Sequence, residues 1–285
     1  MLKQRVATAL VLLPLVLLAI FYVPTDYIIW GFFAVFILAG REWGNIISPN
    51  CNATRWTFAI TIGLLMFAVM MLVPVEQYWY LDSLNPILLA ILFVGVAWWL
   101  VATLMVFMYP QAANFWRKSP MWLSMFGQLT LLPAFVSLCV LKSMVSQQND
   151  YYGALLLLAV FLIVWGADTG AYFAGKRFGK TKLMPNVSPG KTIEGFVGGL
   201  ALVVVLASVY HYLVPSSEWI PMIIIALITA IASAFGDLTE SMFKRNANIK
   251  DSGSILPGHG GVLDRIDSLT AALPVFTLLF LVLWN

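Results

Sequence analysis

The sequence predicts an all-α fold, a polytopic integral membrane protein with about nine transmembrane helices. Of its 285 residues, 61% are hydrophobic and only 10% are charged, and the mean hydropathy is +0.90. A soluble domain carries about 25% charged residues, so this chain has too few to cover a water-exposed globule. Backbone groups inside a bilayer must pair with one another, and the alternating pattern of a membrane β-barrel is missing. The spans are therefore predicted to be helices.

Apolar runs between charged or Pro/Gly-rich breaks define the nine spans, each about 20 residues long, which is enough to cross the hydrocarbon core. They lie near residues 6–24, 27–46, 56–74, 86–108, 121–141, 152–175, 194–214, 219–240 and 268–285. The first run lacks a small-residue cleavage site, so it reads as a retained anchor rather than a signal peptide. We divide the chain into residues 1–150, with about five short-looped spans, and residues 151–285, with about four spans and longer loops.

The basic residues fall almost entirely on one side of this topology. With the N-terminus on that side, it receives fifteen of the Lys and Arg residues, and the other side receives only Lys142. The positive-inside rule then makes the N-terminus cytoplasmic and the C-terminus external. The net charge of +3 gives no indication of nucleic-acid binding, and Cys51 and Cys139 lack the spacing of a zinc site or a disulfide framework.

The richest polar stretch is Ser241–Asp267, which combines cations, carboxylates and glycines in a cytoplasmic segment. Gly258, Gly260 and Gly261 surround His259, and such a glycine turn can bring backbone N–H groups close to an anion. Carboxylates beside a basic, glycine-rich turn suit a phosphate bridged by a divalent metal. The alternative is a solvated loop that merely obeys the positive-inside rule.

Further acids lie in or near the spans of the second half. Asp237 and Glu240 are three residues apart at the end of the eighth span, and Asp264 and Asp267 are three apart near the start of the ninth. We expect Asp237 and Asp264 to face one cytoplasmic opening and to form half of a magnesium site. Glu240 could instead be a solvated helix end. Asp168, inside a glycine-rich run of the sixth span, is either a substrate or metal contact or a buried structural acid.

The segment Asn186–Gly195 resembles a phosphate-binding loop. It does not match the P-loop spacing, because Pro185 occupies the position where a glycine is required. We expect Ser188 to cap a helix that begins at Pro189. Lys191 and Thr192 would then lie in its first turn, where free N–H groups attract phosphate. The alternative is an ordinary helix start. The sequence assigns no role to the neighbouring Glu194.

The run Ser241–Asp267 resembles the signature of the phosphatidate cytidylyltransferases, also called CDP-diacylglycerol synthases, and the whole chain is similar to their bacterial members. Every fixed position of that signature is met, and these positions are Ser241, Lys244, Arg245, Lys250, Asp251, Gly253, Pro257, His259, Gly260, Gly261, Asp264, Arg265 and Asp267.

The resemblance implies transfer of CMP from CTP to phosphatidic acid, with magnesium at Asp237 and Asp264. It also implies a second, monovalent ion such as potassium and a homodimer. With the orientation from the positive-inside rule, we expect residence in the plasma (inner) membrane with a cytoplasmic active site. We expect catalytic roles for Asp237, Asp264 and Asp267. The expected substrate-binding residues are Ser188, Lys191, Thr192, Lys244, Arg245, Lys250, His259, Gly260, Gly261 and Arg265.

Two rival functions stay open at this point. The intramembrane acids would suit an ion-coupled transporter, although no repeat symmetry is visible and the polar groups crowd at one end. A CTP-dependent lipid kinase would transfer the γ-phosphate instead. The products separate the three functions, because only the cytidylyltransferase yields a CDP-lipid and pyrophosphate.

The charge distribution leads to a test of the topology. Topology reporters fused after Asn285 and inserted in the loop 109–120 should report opposite sides of the membrane. Two reporters on the same side would contradict the nine-span arrangement.

Overall fold

A computed structural model describes residues 2–80, 83–146, 149–213, 219–256, 258 and 260–284. Within these residues the chain forms long helices in sequence, joined by short connections. They are α1 (Leu2–Tyr22), α2 (Thr25–Ile47), α3 (Asn52–Leu72), α4 (Pro86–Phe107), α5 (Pro120–Ser143), α6 (Tyr152–Phe178), α7 (Ile193–Leu213), α8 (Trp219–Asn246) and α9 (Leu263–Leu283). Two small antiparallel hairpins complete the regular structure, β1 (Trp79–Tyr80) with β2 (Ser83–Leu84), and β3 (Lys182–Met184) with β4 (Ser188–Thr192).

These helices coincide with the predicted spans and confirm the helical membrane fold. Seven of them, α3 to α9, are both long and apolar enough to cross a bilayer. Local sequence sets several of the starts. Asn85 accepts a hydrogen bond from the Ile87 N–H at 3.0 Å, and Pro86 occupies the first helical position of α4. Such a cap satisfies a donor that the helix itself leaves free. The exact number of membrane crossings stays a prediction.

Helices α5 and α9 lie at the centre of the bundle. Helix α9 packs against α2, α4, α5, α6 and α8, and one hydrophobic cluster runs through both halves of the sequence. Gly95 of α4 sits against Pro133 of α5 and Pro274 of α9, and a side chain at Gly95 would overlap Pro133. The centre is therefore closely packed across the division at residue 150.

The polar connections gather at one end of the bundle. That end holds the C-terminal ends of α2, α4, α6 and α8 and the N-terminal ends of α3, α5, α7 and α9, and it coincides with the side that the sequence predicts to be cytoplasmic. Hydrogen bonds join these ends. For example, Asn246 Nδ2 donates to the Arg117 carbonyl at 2.9 Å.

The predicted boundaries of the last two spans differ from the structure. Helix α8 continues to Asn246, six residues beyond the expected end, and α9 begins at Leu263, five residues before the expected start. The sequence places these residues in a loop because they are charged. In the structure Lys244 is buried and its charge is paired with carboxylates, so α8 can continue past it inside the protein.

Candidate active site

A cleft of about 400 Å³ opens between α6, α7, α8 and the β3–β4 hairpin. Most residues of its wall are apolar or glycine, and the glycines allow α6 and α7 to approach closely. Asp168, Tyr172, Lys176, Lys191 and Thr192 are the charged or hydroxyl-bearing side chains that line it. A cavity with a few convergent polar groups is the usual form of a small-molecule site.

The hairpin that carries Lys191 corrects the predicted helix start. Residues Ser188–Thr192 form strand β4, paired with β3, so Ser188 does not cap a helix. The cap of α7 is Thr192, whose Oγ1 accepts a hydrogen bond from the Gly195 N–H at 3.1 Å. Strand β4 stays paired with β3 as far as Thr192, which lies opposite Lys182. The helix therefore begins at Ile193 and not at Pro189.

Glu194 in the first turn of α7 holds the entry to the hairpin. Its carboxylate accepts hydrogen bonds from the backbone N–H groups of Lys180 at 3.1 Å and Thr181 at 3.0 Å. The Ile193 N–H donates in turn to the Thr181 carbonyl at 2.9 Å. Glu194 therefore fixes the hairpin against the N-terminal end of α7, a position that also favours a negative charge.

Lys191 extends from β4 to α8. Its ammonium group lies 2.8 Å from Asp237 Oδ2 and donates to the Ala234 carbonyl at 3.3 Å. Asp237 Oδ1 accepts from the Ser241 hydroxyl at 3.2 Å. Each side chain of the pair is about 30% exposed, and Lys191 lines the cleft.

Two more carboxylates lie close to this ion pair. Asp168 from α6 and Asp267 from α9 are both within electrostatic range of Asp237 and Lys191. The fold thus brings together Asp168, Asp237, Asp267 and Lys191 from four separate elements. These three carboxyl groups outnumber the ammonium groups within electrostatic range of them, which are Lys191 and, for Asp267, also Lys244.

Asp264 belongs to a second, more buried cluster. Lys244 Nζ lies 2.8 Å from Asp264 Oδ1 and 2.9 Å from Glu240 Oε1, and the side chains of Lys244, Asp264 and Glu240 are only 10%, 7% and 5% exposed. Glu240 is therefore not a solvated helix end. Lys244, expected to contact a substrate, has its ammonium group engaged by two carboxylates.

The Asp264 carboxylate also organises the loop that precedes α9. Its oxygens accept from the Ser252 N–H at 3.0 Å and the Gly261 N–H at 2.8 Å. Gly258 and Gly260 have φ values of +77° and +84°, which favour glycine. In the described part of this segment the Leu256 N–H donates to the Gly260 carbonyl at 2.9 Å. Binding of an anion by these glycines stays a prediction.

The other expected substrate contacts lie at the rim of this end. Arg245 is exposed, and its guanidinium donates to the carbonyls of Val187 and Ile249 at 3.4 and 3.5 Å. Lys250 and Arg265 are also exposed. His259 lies outside the described residues.

Glu42 and Ser252 also belong to this polar end, and the sequence did not indicate a role for either. Glu42 of α2 is completely buried and accepts hydrogen bonds from the Ser252 hydroxyl and the Leu263 N–H. The available signal was an acid, next to Arg41, near the end of a largely apolar span, a position that usually has a specific partner.

The chemistry of the donors suits a hard divalent cation at the Asp237 cluster. Carboxylate oxygens are the ligands that Mg²⁺ prefers, and it usually keeps water and substrate phosphates as further ligands. Among the residues that the structure describes, no group of three His, Cys, Asp or Glu side chains is arranged to hold a metal by itself. Asp237 and Asp267 are the candidate ligands here, because the Asp264 oxygens already accept three internal hydrogen bonds.

Comparison with known proteins gives a match over nearly the whole chain. Residues 3–283 match the cytidylyltransferase family. A phosphatidate cytidylyltransferase of Haemophilus influenzae is 42% identical over 285 residues, covering 97% of this chain and 98% of that protein. A phosphatidate cytidylyltransferase of Pseudomonas aeruginosa is 42% identical over 281 residues, covering 98% and 97%. One of Bacillus subtilis is 42% identical over 151 residues, or 52% of this chain and 55% of that protein.

The buried Lys244 cluster leads to a prediction about stability. Glu240→Gln removes one of the two carboxylates that contact the ammonium group of Lys244. A buried charge left without a partner costs about 3–5 kcal/mol, and because Lys244 keeps Asp264 we expect a loss of about 2 kcal/mol. The purified variant should unfold at a lower temperature, whereas Glu76→Gln, at an exposed site, should not. Equal unfolding temperatures for Glu240→Gln and the wild type would contradict the interpretation.

Proposed function

Because the chain belongs to the cytidylyltransferase family, we propose that it transfers CMP from CTP to phosphatidic acid, giving CDP-diacylglycerol and pyrophosphate. The observation that carries this proposal is the near-full-length similarity to phosphatidate cytidylyltransferases. The location of the charged clusters at one end of a membrane bundle supports it, since one substrate is water-soluble and the other is a lipid.

The reaction needs little acid–base chemistry from the protein. A phosphate oxygen of phosphatidic acid attacks the α-phosphorus of CTP, the bond between the α-phosphorus and the bridging oxygen breaks, and pyrophosphate leaves with that oxygen. A phosphate monoester is largely doubly ionised at pH 7, since its second pKa is about 6. The difficulty is to bring two polyanions together, and catalysis then depends on positioning and on stabilising the charge.

Lys191 is suited to bind a substrate phosphate. Lys191 lines the cleft, and its ammonium group lies 2.8 Å from the Asp237 carboxylate. A phosphate that enters the cleft can take the place of the Asp237 carboxylate on the ammonium group. We assign the flanking Arg245, Lys250 and Arg265 to attraction of the polyanion at the rim, where exposed cations raise the local concentration of substrate.

We further propose that Mg²⁺ binds at Asp237 with Asp267, next to Asp168. When bound, the ion would neutralise phosphate charge in the reaction. The excess of carboxylates over Lys191 supports this position. The sequence-based expectation that Asp264 is a ligand stays a prediction, and its contacts with Lys244, Ser252 and Gly261 favour a positioning role.

The cellular arrangement that we propose follows from the same features. CTP would enter the cleft from the cytoplasm, and phosphatidic acid would enter from the inner leaflet of the plasma (inner) membrane. The N-terminus would be cytoplasmic and the C-terminus external. A monovalent ion such as potassium and a homodimer stay predictions from the resemblance.

An assay with the purified protein tests the reaction. With CTP labelled at the α-phosphate, phosphatidic acid and Mg²⁺, we expect label in the lipid phase as CDP-diacylglycerol, together with one pyrophosphate for each product. Labelled CDP in the aqueous phase would indicate a lipid kinase. The absence of any product from folded protein would contradict the proposal.

Two matched substitutions test the metal assignment. Asp237→Asn should fold normally, lose most of the activity and raise the Mg²⁺ concentration needed for half-maximal rate, because one ligand charge is removed. Asp264→Asn should lower the unfolding temperature, because Lys244 loses a partner. If Asp237→Asn keeps near-normal turnover and an unshifted Mg²⁺ requirement, Asp237 is not a ligand. If Asp264→Asn is stable and shifts the Mg²⁺ requirement equally, the two residues share the ion.

A further inference from the structure

Glu42 is a buried acid that the proposed reaction does not use. It lies in the last two turns of α2, in the first half of the chain, and its side chain is 0% exposed. Burying a carboxylate in a membrane helix bundle is costly, so such a group is retained only with strong partners. All the described hydrogen-bond partners of its side chain come from the segment Ser252–Leu263 in the second half.

These partners lie at the start of α9. Glu42 Oε2 accepts from the Leu263 N–H at 2.8 Å and from the Ser252 hydroxyl at 3.2 Å. Helix α9 has no side-chain cap of its own, since Val262 stands at the capping position. A carboxylate is favoured at the N-terminal end of a helix, where backbone N–H groups are free. Glu42 therefore caps α9 from a different helix.

Two glycines of the same segment fit against this carboxylate. A side-chain carbon at Gly253 would overlap Glu42 Oε1, and one at Gly261 would overlap Glu42 Oε2. Neither glycine has a positive φ, so the backbone conformation alone would allow alanine. The absence of a side chain at both positions is thus explained by the close approach of Glu42.

One helical turn later, Asn45 contacts the same segment. Its Nδ2 donates to the Ser252 carbonyl at 3.2 Å. Ser252 is held from the other side as well, since its N–H donates to Asp264. The loop before α9 is therefore fixed between α2 and the Asp264 carboxylate.

We propose that Glu42 is a positioning residue for the active site. It fixes the N-terminal end of α9, and with it the placement of Asp264 and Asp267, and the loop that carries Gly260 and Gly261. This role rests on the proposed cytidylyltransferase function. It gives the first half of the chain a direct part in the geometry of a site whose charged residues all come from the second half.

Substitutions at Glu42 give the first measurement. Glu42→Gln keeps the shape but places an amide N–H₂ beside Gly253 and removes the charge, and Glu42→Ala removes every contact. Because small misplacements of reacting groups are costly, we expect kcat to fall on the order of tenfold in Glu42→Gln and further in Glu42→Ala. Asp26→Asn, an exposed acid at the other end of α2, is the matched control and should behave as wild type.

A readout apart from activity reports on the loop itself. Lys250 is exposed and directly precedes the fixed segment. Cleavage by trypsin after Lys250 should be faster in both Glu42 variants than in wild type, at a temperature well below unfolding.

The glycine fit supplies a double-variant test that does not depend on Glu42→Ala being fully stable. Gly253→Ala should reduce kcat strongly in the wild-type chain, where the methyl group meets Glu42. In the Glu42→Ala background, where the space is free, the same substitution should reduce kcat no more than about twofold further, the mark of strongly coupled sites.

Two results would overturn the proposal. One is wild-type kcat and trypsin resistance in both Glu42 variants, and the other is an equal effect of Gly253→Ala in both backgrounds. Failure of the proposed function is a separate outcome, because wild-type protein would then form no CDP-lipid while the difference in trypsin cleavage could still be measured.

Discussion

The ammonium group of Lys244 is the charge around which the polar end of this bundle is arranged. It is buried between Glu240 and Asp264, and the cost of removing those three groups from water is offset only while they contact one another. The contact joins α8 to α9 and sets the position of Asp264, which then holds the loop at Ser252 and Gly261. Asp267 follows Asp264 by three residues on α9, so the same junction of two helices also fixes the place of Asp267.

The sequence alone predicted the class of fold and most of the helices. Spans were found because the apolar runs are long and the breaks between them are polar, and both are local properties. The boundaries of α8 and α9 were missed for a physical reason. Charged residues normally end a membrane span, but Lys244 and Asp264 neutralise each other inside the protein, so both helices extend past the apolar run.

The candidate site was predicted in part. Lys191 and Asp237 were singled out from residue type and spacing, and the structure brings them into contact. The β3–β4 hairpin was missed because Ser188 followed by Pro189 is a good local helix start, and only pairing with β3 overrides it. Glu42 could not be assigned because its partners are more than 200 residues away in sequence.

The ion pair between Lys191 and Asp237 has a consequence for the order of ligand binding. While the Lys191 ammonium group contacts Asp237, this carboxylate is less available to a cation and the ammonium group is less available to a phosphate. A ligand that takes Lys191 frees Asp237 for a cation, and a cation at Asp237 frees Lys191 for a phosphate, so each favours the other reciprocally. The proposed enzyme would therefore bind a nucleotide together with its metal more tightly than the separate affinities predict, and it would discriminate against metal-free CTP at the binding step.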